Sequence, residues 1–139
     1  MNETYGLVNR EVDRLAATEG LATPAAAMWM IVVSAMAMAS KLPESLRGAL
    51  AQACLRWFSS PTLGEASLHQ AAAHCWTYLE TKHGNSTSIV DREDVAIRTL
   101  LCALVDDLPD MDELDMTIDF LVSMLDRFGG LQEVLFGAQ

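Results

Sequence analysis

Thr23-Pro24-Ala25-Ala26-Ala27-Met28-Trp29-Met30-Ile31-Val32-Val33-Ser34-Ala35-Met36-Ala37-Met38-Ala39-Ser40 decides how this chain folds. From Gly20 to Ser40 there is no charged residue. Such a run is either a membrane span or a helix enclosed by the rest of the protein. A span needs about 20 strongly apolar residues and a basic flank to set its orientation. This run is shorter, rich in Ala and lacks the flank, so it reads as a central helix over 24–40, covered on all sides by other helices or by a second subunit. Thr23 supplies an N-cap oxygen and Pro24 the first helical residue.

Punctuation on either side of this helix predicts an all-α, single-domain bundle of about six helices over 1–139. A first amphipathic helix runs from Thr4 to Thr18, with Leu7, Val8, Val12 and Leu15 inward, and Gly20 closes it. Pro43 opens the third helix, in which Leu46, Leu50, Ala53, Cys54 and Trp57 recur at helical spacing until Ser59-Ser60-Pro61. The fourth starts between Thr62 and Glu65, buries Leu68, Ala72, Cys75 and Leu79, and stops at Gly84; a polar loop, Asn85 to Ser88, follows. Asp91, with Asp94 three residues on, caps the fifth, whose apolar face is Ile97, Leu100, Leu101, Leu104 and Val105. Asp110 and Glu113 form an acidic capping box for the sixth, with Met111, Leu114, Ile118, Leu121, Val122 and Leu125 inward. Gly129-Gly130 ends it, and 131–136 reads as one more short turn.

Charge is distributed unevenly over this framework. Residues 91–139 hold three Arg against twelve Asp or Glu, whereas residues 1–90 hold six Lys or Arg against seven; nearly all of the net −10 sits at one end. That field disfavours nucleic acid and anionic membrane, both polyanions, and favours a basic protein partner. Asp106, Asp107, Asp110, Asp112, Glu113, Asp115 and Asp119 are the candidate contact residues, joined by Trp76 and Tyr78, the aromatic pair nearest the surface of the fourth helix. Core packing is the competing reading of those two rings.

The chemistry-bearing residues point away from catalysis. Asp106-Asp107-Leu108-Pro109-Asp110 matches the DDxxD pattern with which isoprenoid synthases hold magnesium, but those enzymes need a longer helical chain and a second acidic motif. Here Pro109 breaks the helix and no basic diphosphate clamp follows. A calcium loop beginning at Asp110 fails because its sixth position is Asp115 instead of glycine. His69 and His74 are five residues apart, on different helix faces, so neither they nor Cys75 build a metal site; Glu65 and His69 share a face but are only two groups. His74 reads as a half-buried histidine. Cys54, Cys75 and Cys102 read as buried reduced thiols, which with no visible signal peptide suggests a cytoplasmic protein. Arg98 lies four residues after Asp94, in the order that stabilises a helix.

No catalytic residue, metal site or cofactor is therefore expected. The reading that follows is a small binding protein, an inhibitor of the immunity type that neutralises a basic toxin or nuclease through its acidic face. The alternatives are a helical homodimer, acting as adaptor or binding a small apolar ligand, with Met28, Met30, Met36 and Met38 lining the pocket or interface, and a metal-dependent phosphohydrolase or lyase using Asp106, Asp107 and Asp110.

Overall fold

A computed structural model of the chain describes residues 3–58, 65–84, 88–105 and 110–129, apart from the side chains of Glu3, Glu65, Ala66 and Met111. Within them lie six α-helices: α1 Glu3–Glu19, α2 Thr23–Ala37, α3 Arg47–Phe58, α4 Glu65–His83, α5 Arg92–Ala103 and α6 Met111–Phe128. No strand occurs among the described residues. The helix break at Ser59-Ser60-Pro61, most of the loop after Gly84, Asp106, Asp107 and the short turn expected at 131–136 lie outside them, as does the Met111 side chain, expected to face inward.

α1, α2, α3 and α4 pack each against the next; α5 packs against α2, α3 and α4, and α6 against α1, α2 and α5. The central helix α2 thus touches α1, α3, α5 and α6, which is why it can be apolar around most of its circumference. Ala26, Ala27, Met28, Met30, Ile31, Val32, Ala35 and Met38 are all buried in one continuous core. The one polar side chain buried on α2, Ser34, donates its Oγ hydrogen to Met30 O at 2.8 Å. No single helix among the described residues is long and apolar enough to cross a membrane.

Several details of α2 depart from the reading of the sequence. Ala22, not Thr23, is the N-cap, and no side chain caps the helix. Thr23 and Pro24 occupy the first two helical positions, where N–H groups have no intrahelical acceptor, so the proline ring is accommodated one residue further in. At the other end the α-helix stops at Ala37: the Met38 N–H is shared between Ser34 O and Ala35 O, and Ala39–Lys41 tightens into a 3-10 turn. The helix is also not covered on every side. Trp29 and Val33 are half-buried and Met36 is 45% exposed, a stripe at i, i+4 and i+7 along the helix. Met28, Met30 and Met38 belong to the core, so the methionines do not together line a pocket.

The remaining helices follow their sequence signals closely. Pro43 precedes a 3-10 turn, Glu44–Leu46, that leads into α3, instead of starting α3 directly. Trp57 on α3 donates its indole N–H to Ala103 O at 2.7 Å, satisfying a carbonyl in the last turn of α5. Cys75 is buried, whereas Cys54 and Cys102 are half-buried. The α-helical span of α5 ends at Ala103, earlier than its apolar pattern implies, leaving Val105 at 38% exposure. On α6, Leu114, Ile118, Leu121, Val122 and Leu125 point inward as expected, joined by Met124 and Phe128; Gly129 ends the helix with φ 134°.

Candidate partner-binding face

The outward side of α6 carries most of the residues singled out by charge. Asp110 is its N-cap, and its Oδ1 accepts the Glu113 N–H at 2.8 Å, so this carboxylate first serves the helix end. Asp112, Asp115 and Asp119 follow at i, i+3 and i+7, all exposed, and therefore form one stripe. Asp126, two turns further on, extends it and accepts a hydrogen bond from Thr4 Oγ1 at 2.5 Å. Glu113 is exposed too, but about 100° round the helix from Asp112, on the flank of this stripe. Met116, at 68% exposure, sits inside the stripe among the aspartates.

Asp112, Asp115 and Asp119 have no hydrogen-bond or ion-pair partner among the described residues. Nearby arginines are drawn elsewhere: the Arg92 guanidinium stacks 5.0 Å from the Phe128 ring centroid and that of Arg98 lies 4.8 Å from Trp76. Asp106 and Asp107 lie outside the described residues, so the face that can be described rests on α6 alone.

Trp76 and Tyr78 do not form a pair. Two residues apart on a helix, they are rotated by roughly 200° and lie on opposite flanks of the buried stripe of α4. Trp76 is 44% exposed beneath Arg98. Tyr78 is half-buried in a shallow depression with Ser45, Leu46, His74, Thr77 and Thr81, and its hydroxyl donates to Glu93 Oε1 at 3.1 Å. Neither ring borders the α6 stripe, so the two anchors and the acidic face are separate features.

The strongest polar cluster escaped the sequence reading. Asp94, paired there with Arg98, is fully buried and holds together the end of α4 and the start of α5. His83 Nε2 lies 2.8 Å from both carboxylate oxygens, the Val90 N–H donates at 2.9 Å, and Lys82 Nζ approaches to 3.1 Å. Lys82 also bonds Asp91 at 2.8 Å and Glu93 at 2.9 Å. Burial alone would raise the Asp94 carboxyl, but the bonds from His83, Val90 and Lys82 outweigh it and hold it down to about 2. An ionised carboxylate only accepts, so His83 Nε2 carries the shared hydrogen. Burial works against the Lys82 charge, yet its three carboxylate partners raise its pKa above the usual lysine range. The legible signal was a basic pair ending one helix and acids opening the next, each placed where the helix dipole favours it.

This cluster clasps the end of α4 to the start of α5. The histidine expected to be half-buried, His74, is exposed, because it is turned about 100° from Cys75 toward solvent; His83 takes that role. The Glu65–His69 contact involves a Glu65 side chain outside those described. Burial pushes the Cys75 and Cys102 thiols up to about 11 and that of Cys54 in the same direction, opposite to what a nucleophile requires. No group of three or more metal-ligating side chains is found among the described residues. No known protein family, curated protein or solved structure matches this chain.

Proposed function

We propose that this chain is a non-enzymatic binding domain that engages a basic protein partner through the outer face of α6. The observation that carries this reading is the stripe Asp112, Asp115 and Asp119, exposed and without a hydrogen-bond or ion-pair partner among the described residues. Like charges one or two turns apart repel, so the stripe costs the free protein stability and recovers that cost when opposing cations approach. Met116, projecting from the same face, adds an adaptable apolar contact at the centre of such an interface. In its specific form the partner is a cationic enzyme, a toxin or nuclease, whose active site the acidic face occludes.

Substituting Asp112, Asp115 and Asp119 together by Asn tests this. The tagged chain and the triple variant serve as parallel baits in extracts of the native cell, and the captured basic protein is then followed by stopped flow over a range of salt. The association rate of the variant should fall by roughly tenfold or more at low salt, with a flatter salt dependence, since steering contributes about 10- to 1,000-fold to such rates. An unchanged rate and salt slope would reduce the stripe to a solvated surface.

A further inference from the structure

We infer that a second copy of this chain docks on the outer face of α2 and α3. Trp29, Val33 and Met36 run along α2, and Cys54, Leu55 and Phe58 along the adjoining side of α3. Trp29 and Phe58 meet edge to face with centroids 4.9 Å apart, fusing the two rows into one surface. Met36, Leu55 and Phe58 are 45%, 47% and 36% exposed, three large apolar side chains on two helices that pack together.

Charge identifies the occupant. A chain of net −10 resists self-association wherever its carboxylates would be brought together. α2 contributes no charge to this face, and the aspartates Asp112, Asp115 and Asp119 stand on the exposed side of α6. The ends of the face are also complementary under a two-fold axis. Exposed Glu19 precedes the start of α2, while exposed Lys41 and Arg47 outnumber Glu44 beyond its end. Antiparallel apposition of α2 with its symmetry mate would set each acidic end against a basic one, as an isologous interface requires. A basic partner, by contrast, gains nothing from an uncharged face and is drawn to α6.

Size sets the strength. A 15-residue helix is roughly 22 Å long and helices pack about 10 Å apart, so the face falls at or below the ~800 Å² per partner of standard interfaces. The dimer is accordingly weak and concentration-dependent.

Sedimentation of the full chain over a wide concentration range should show a reversible monomer–dimer equilibrium. M36E and L55K should each raise the dissociation constant by at least about tenfold while leaving the helical circular dichroism intact, because both side chains are already half exposed. L55K lowers the net charge, so its effect reports lost packing and not added repulsion. The Asn triple variant of α6 should dimerise as well as the parent chain. A chain that stays monomeric at every concentration, or a dimer that both face variants leave unmoved, overturns the inference.

Discussion

Asp94 shows how much one residue can contribute when burial and partners act together. Its carboxyl is held at about 2 in the folded chain against an ordinary 3.8, and the difference corresponds to roughly 2 kcal/mol of stability. Because the folded value is depressed, that contribution is complete above about pH 4 and is lost as pH falls through about 2. Replacing Asp94 by Asn should therefore destabilise the chain by on the order of 2 kcal/mol or more near neutral pH, since His83 and Lys82 lose the charge they enclose. The difference between variant and parent should shrink below pH 4. Denaturant melts across pH 2 to 7 check both statements, and a constant gap down to pH 2 would contradict the assignment.

At the scale of elements, helix boundaries and inward faces were legible because they depend on local signals: glycine at positive φ after α1 and α4, aspartate caps on α5 and α6, and apolar residues at helical spacing. What was not legible was which side of α2 would be left uncovered. A helix apolar all round has no preferred face in its sequence, so only its neighbours decide that Ile31 and Val32 are buried while Met36 is not. Placing Asp at Ile31 or Val32 should thus unfold the protein or drive it into aggregates, because an unpaired buried carboxylate costs several kcal/mol, comparable to the stability of the whole domain. Soluble, fully helical variants at both positions would remove α2 from the core. Asp94 was misread for a related reason. Its helical spacing to Arg98 is visible in one helix, whereas its actual partners His83 and Lys82 come from another.

For the molecule as a whole, composition anticipated an acidic helical bundle, and the charge gradient runs along the sequence itself. The prediction at this scale concerns cations. Millimolar magnesium or calcium should raise the melting temperature no more than a monovalent salt at matched ionic strength, because the exposed carboxylates of α6 stand in a row and do not converge into a cage. A saturable shift abolished by D110N would instead mark a specific site. The sequence by itself determined the helices, the aspartate caps of α5 and α6 and the excess of carboxylates, since each follows from residues within a few positions of one another. Only the tertiary structure decided that three methionines of α2 are enclosed and one is not, and that Asp94 is clasped between helices. Those outcomes depend on which faces meet when distant segments pack, and that contact is not encoded in local spacing.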